Sequence, residues 1–139
     1  MTKGLLQYDV RVLLALQQAI GGSKDFFQWL VSAGHPELAA FSNFLQDDVE
    51  AEQWLVQHNH HWLGIISHAI DGDERSRQWV RQNLHEANLM FVLACRRDDK
   101  AISWLKFMHL DILLRLADEV ADLRYKQELD TSFPYKMRF

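Results

Sequence analysis

Cysteine and proline, which staple and punctuate many small proteins, are scarce here: 139 residues contain one Cys and two Pro. A lone Cys95 excludes an intramolecular disulfide and a thiolate zinc site, both of which need partners. It follows the apolar run Leu89-Met90-Phe91-Val92-Leu93-Ala94, which marks it as a small core residue, and a reducing, cytoplasmic setting is expected. No uncharged run approaches the roughly 20 residues that a membrane-spanning helix requires. Asp9 and Arg11 interrupt the apolar N-terminus, and no small-residue cleavage site follows it, so a soluble, untargeted chain is expected. Excess positive charge is missing too. A formal net charge of −4 argues against a surface built wholly for nucleic acid or anionic membrane, while leaving room for a local basic patch.

Catalytic signatures are also absent. The chain has no Gly-x-Ser-x-Gly elbow, glycine-rich phosphate loop or catalytic Cys–His pattern. The paired carboxylates Asp47-Asp48 and Asp98-Asp99 fall at joints between helices, where capping explains them. Neither an enzyme nor a cofactor is expected.

What the chain does contain is a period. Trp29, Trp54, Trp79 and Trp104 are spaced by 25 residues, and so are the helix-capping residues Ser23, Asp48, Asp73 and Asp98 ahead of them. Each cap opens a short amphipathic helix carrying the Trp, an aliphatic neighbour (Leu30, Leu55, Val80, Leu105) and an acidic first turn that suits the helix dipole. A tight break follows at Gly34, Asn59 and Asn83, residues that tolerate a left-handed backbone, whereas the fourth unit offers only Met108-His109. A second helix then carries the inward columns Phe41, Ile66, Phe91, Leu116 and Leu45, Ile70, Cys95, Val120.

The expected fold is therefore all-α. It is a short α-solenoid of about nine helices in antiparallel pairs, because a single pair cannot cover its own apolar face. One domain spans 1–139: a capping half-repeat at 1–22, with a helix from Leu5 to Ile20 whose outer face meets water; four helix-pair repeats at 23–122; and a cap and tail at 123–139. A further first helix from Arg124 to Asp130 is expected after a break at Leu123. The aromatic, basic tail Phe133-Pro134-Tyr135-Lys136-Met137-Arg138-Phe139 folds back over the stack or inserts into a second copy to make a homodimer.

Two stretches carry a resemblance. Trp29-Leu30-Val31-Ser32-Ala33-Gly34-His35-Pro36-Glu37-Leu38 resembles the ankyrin helix–turn–helix, and Met108-His109-Leu110-Asp111-Ile112-Leu113-Leu114-Arg115-Leu116 is similar to its second helix. The period departs from the ankyrin value of about 33, and neither the Thr-Pro-Leu-His start nor a hairpin segment is present. The resemblance implies a degenerate, ankyrin-like stack of helix pairs used as a protein-binding scaffold.

Candidate binding residues follow from what the repeat leaves over. The Trp column shares a helix face with the aliphatic column and reads as the inner rib of the stack. Trp62 is off register, at the opening of a second helix, and is the better surface anchor. His35, His60 and His85 keep the period, and His60, His61 and His85 with Trp62 mark the helix openings as the binding face. His58, His60, His61 and His68 lack the convergent ligand pattern of a metal site, so no metal is expected. Charge is uneven: Asp47 to Glu74 holds seven acidic residues and no Lys or Arg, whereas Arg75 to Lys106 holds seven basic residues. The period sets Glu50 beside Arg75, Glu52 beside Arg77 and Asp71 beside Arg96, a ladder of inter-repeat ion pairs. Arg77, Arg81, Arg96 and Arg97 are the core of a basic side, and through it nucleic-acid binding is the alternative to a protein partner.

Overall fold

The four periodic caps all act as caps. In the computed structural model, which describes residues 2–132, Ser23, Asp48, Asp73 and Asp98 accept hydrogen bonds from the backbone N–H groups of Phe26, Glu50, Ser76 and Ala101. They open the outer helices α2 (Lys24–Ser32), α4 (Val49–Gln57), α6 (Glu74–Asn83) and α8 (Asp99–Phe107). The inner helices are α1 (Val10–Ile20), α3 (Pro36–Leu45), α5 (His61–Ile70), α7 (Glu86–Ala94) and α9 (Asp111–Ser132). The hydroxyl and backbone N–H of Ser76 hold the Asp73 carboxyl below the usual carboxylate range. This stabilisation is present above the ordinary Asp pKa and is lost as pH falls through the lowered value.

The turns repeat too, in every unit but the third. Left-handed backbone occurs at Gly22, Asp47, Gly72 and Arg97 between units, and at Gly34, Asn59 and His109 within them. His109 thus supplies the fourth turn, for which the sequence offered no glycine or asparagine. In these three inner turns the N–H three residues past each outer helix reaches back to Leu30, Leu55 or Leu105 at 2.8, 2.8 and 2.9 Å, the closing bond of a Schellman motif. The third unit breaks the rule. Asn83 is the last helical residue, and Leu84 is extended with φ −116°.

Each outer helix lies against the two inner helices that flank it in sequence, and successive inner helices pack on one another. This is the helix-pair stack of a short solenoid. It also closes, because α9 packs against α1. The first inner helix therefore meets the last, and the water-facing outer side expected of an end cap is instead a helix–helix contact.

Two expected boundaries shift. The N-terminal helix starts at Val10, where Asp9 accepts from the Arg11 N–H at 2.8 Å, and Leu5 belongs to a separate 3-10 turn at Gly4–Gln7. No break follows Leu123; α9 runs on to Ser132. Leu129-Asp130 stands where other units have a Trp–aliphatic pair, so the position that elsewhere carries the buried rib residue carries a carboxylate. The extension instead crosses the carbonyl ends of the inner helices, with Arg124 paired to Asp71 and Gln127 donating to the Leu45 carbonyl at 3.1 Å. The tail 133–139, with its self-capping and homodimer readings, lies outside the described residues.

Cys95 is 2% exposed, and burial pushes its thiol well above the ordinary range. A thiol reagent is expected to modify it only through unfolding, slowly in native buffer and faster as denaturant raises the unfolded population; rapid labelling of folded protein, read by mass, would contradict this placement.

Candidate functional site

Adjacent residues on a helix point about 100° apart, and that decides the fate of the Trp column. Leu30, Leu55, Val80 and Leu105 are all 0% exposed and form the inner rib. The Trp before each is turned to the edge. Trp29 is 43% exposed, while Trp54, Trp79 and Trp104 pack on the core from outside and are partly buried. The column is a rim, not the rib that regular spacing suggested.

Histidines lie against that rim. The ring of His35 sits 6.5 Å from Trp29, and His60 stacks near Trp54 at 6.3 Å with 5° between planes. His58 stacks closer on Trp54, at 3.9 Å, and its Nδ1 bonds the Trp54 carbonyl oxygen at 2.8 Å. Trp and His six residues apart are thus one motif in the first two units. In the third, Trp79 meets His61 edge-on at 5.9 Å, and His85 instead caps α7, its Nδ1 accepting from the Ala87 N–H at 3.1 Å.

The third unit differs because the N-terminal segment docks on it. Thr2 pairs with Leu84 in a parallel bridge: the Thr2 N–H donates to the Asn83 carbonyl at 3.1 Å, and the His85 N–H donates to the Thr2 carbonyl at 2.8 Å. Asn88, 0% exposed, locks the segment. Its Oδ1 accepts from the Leu5 N–H at 2.9 Å, and its Nδ2 donates to the Lys3 and His85 carbonyls, each at 2.9 Å. Gly4, at φ +60°, lies so close that an added Cβ would collide with Asn88 Oδ1. Sequence reasoning missed Thr2, Gly4 and Asn88. One signal was there: Asn88 is the single polar member of the column Leu13, Leu38, Leu63, Leu113.

Between this segment, the opening of α5 and the end of α6 lies an open cleft of about 340 Å³ lined by Gln7, His61, Trp62, Trp79, Asn83 and Leu84 among others. Two predicted residues, His61 and Trp62, line it together. His60 stands next to them against Trp54, and the backbone of His85 holds Thr2 on its far side. Nearby, Tyr8 donates to Glu37 Oε2 at 2.7 Å. Burial first, and then this carboxylate, push the Tyr8 phenol far above its ordinary range.

No protein-family model, curated protein or solved structure matches this chain. The site is therefore read from its own chemistry.

The arginines do not join the cleft. Arg77 Nε donates to the Ala69 carbonyl at 2.9 Å and Arg96 Nη1 to the Ile70 carbonyl at 3.2 Å, so both cap the negative end of α5. Arg97 binds Asp118 and Asp122 on α9 at 3.2 and 3.1 Å. Of these four, Arg81, exposed on α6, is the one that bonds neither a carbonyl nor a carboxylate among the described residues. The expected ladder is corrected as well. Glu52 pairs with His68 and Asp71 with Arg124, in place of Arg77 and Arg96. One ion pair does keep the period, Arg97 with Asp122, 25 residues on. Among the described residues no three His, Cys, Asp or Glu side chains converge as metal ligands, and no helix is long and apolar enough to cross a membrane.

Proposed function

We propose that this chain is a non-enzymatic interaction module, a helix-pair scaffold that receives a protein partner on the face carrying the openings of its inner helices. The observation that carries this is the aromatic cleft of His61, Trp62 and Trp79 beside the polar groups of Gln7 and Asn83. Partly exposed Trp with hydrogen-bonding groups at its edge is the chemistry of an interface anchor. The ankyrin resemblance points the same way at the level of architecture, which is a weaker warrant for function. A protein partner is favoured over nucleic acid because three of the four candidate arginines are already engaged by carbonyls or carboxylates.

Two measurements test the reading. Affinity capture from the native cell should retain a partner that His61→Ala and Trp62→Ala lose while circular dichroism shows both variants folded; equal retention by both would remove the cleft from the interface. Single- and double-stranded nucleic acid should not bind even at about 50 mM salt, where phosphate contacts are strongest. Binding there that weakens in Arg81→Ala would favour nucleic acid instead.

A further inference from the structure

A groove of about 390 Å³ runs between α2 and α4 over the outer face of α3, and it shares no lining residue with the cleft of His61 and Trp62. Ala39 and Ala40 make its floor, and Phe27, Val31 and Trp54 its walls. Asp48 and Glu50 line it as well, with no lysine or arginine beside them. Large apolar side chains left in water gather on the same two outer helices: Phe26, Trp29 and Val31 on α2, Val49 and Val56 on α4. An apolar patch rimmed by charge marks an interaction surface.

The other units of the chain supply the comparison. At the register of Phe27 the second and third units carry Glu52 and Arg77, and at Val31 they carry Val56 and Arg81. Gly64-Ile65 and Leu89-Met90 replace Ala39-Ala40, and Arg75 and Lys100 replace Glu50. In the second unit the Glu52 carboxylate lies over Gly64 and pairs with His68, so a polar bridge takes up the space. In the third, the floor positions are bulkier and Arg77 is drawn to the Ala69 carbonyl. The first unit alone of these three combines a small floor, apolar walls and a second carboxylate next to the cap.

These features select the occupant. Its charge must be positive to answer Asp48 and Glu50. Its backbone must satisfy itself, because the walls and floor belong to helices whose own N–H and C=O groups are bonded along the helix. An extended chain laid there would leave unpaired groups at about 1–3 kcal/mol each. A helix brings its hydrogen bonds with it, and alanines on α3 let a second axis come close. We propose that the α2–α4 groove receives a basic amphipathic helix of a partner protein, its apolar stripe on Ala39 and Ala40 and its lysines or arginines at Asp48 and Glu50.

Fluorescence anisotropy with the full chain tests this, using labelled peptides of about 18 residues, long enough to hold a helix. The first places leucine and alanine on one face and lysine and glutamine on the other. The second has glutamate for lysine, and the third scrambles the first so that the stripe is lost. The lysine peptide should bind, and the other two should bind about tenfold more weakly or worse. Glu50→Lys should weaken the lysine peptide by about tenfold and strengthen the glutamate peptide. Val31→Arg, which installs the residue found at this register in the third unit, should abolish binding of both. Val31 and Glu50 are exposed, so both variants keep the core, which circular dichroism checks. The proposal is overturned if the scramble binds as well as the lysine peptide, or if either substitution leaves its affinity unchanged. It is also overturned if the free chain self-associates and Val31→Arg dissociates it, making a second copy the occupant. Tighter peptide binding by Tyr135→Ser would overturn it too, making the chain's own C-terminal segment the occupant.

Discussion

Asn88→Ala is expected to destabilise the protein by about 2–4 kcal/mol, read as a lower midpoint in urea with an unchanged slope. The substitution strips the side-chain partner from the Leu5 N–H and the Lys3 carbonyl at a residue that is 0% exposed, while the His85 carbonyl keeps the backbone N–H of residue 88. Each buried group left unpaired costs about 1–3 kcal/mol, partly recovered if water enters. Asn88→Leu makes the sharper comparison, because it restores the residue type of the column Leu13, Leu38, Leu63 and Leu113. A repeat that wanted leucine here would gain stability from it. The N-terminal segment instead needs an amide, so Asn88→Leu should cost at least as much as Asn88→Ala. Faster amide exchange at Leu5 and His85 in both variants would locate the damage. Unchanged exchange there would show that the segment is held by something else.

Leu30→Ala should cost about 3–4 kcal/mol, and the neighbouring Trp29→Ala no more than about 1 kcal/mol. Leu30 is 0% exposed between inner helices, so its removal loses transfer energy and leaves a cavity. Trp29 is larger but 43% exposed, and its ring contact is with His35 at the rim. Size alone would reverse the order, since a buried Trp→Ala change costs about 3–5 kcal/mol. Thermal or chemical denaturation of the two variants, side by side, distinguishes rib from rim. Equal losses would return the Trp column to the core.

The same pair shows what the sequence made legible. A period of 25 in caps and aliphatics was visible because each depends on its near neighbours along the chain, whereas the left-handed turn was legible only at Gly34 and Asn59. The distinction between Leu30 and Trp29 was not, since both recur with the period and only the helix's rotation against its neighbours separates them. Docking of Thr2 and Leu5 onto residues 83–88 lacked any local pattern beyond one asparagine in a leucine column. The cleft was half legible: His61 and Trp62 stood out as leftovers from the repeat, while Gln7 and Asn83 became neighbours only through that docking. Charge register misled, because a carbonyl end of α5 competes for Arg77 and Arg96 as well as any carboxylate does.

The contact between α9 and α1 fixes the copy number. An open array tolerates duplication of a unit, since each added pair meets the same two neighbours. Here an inserted pair would push the first and last inner helices apart and strand both apolar flanks.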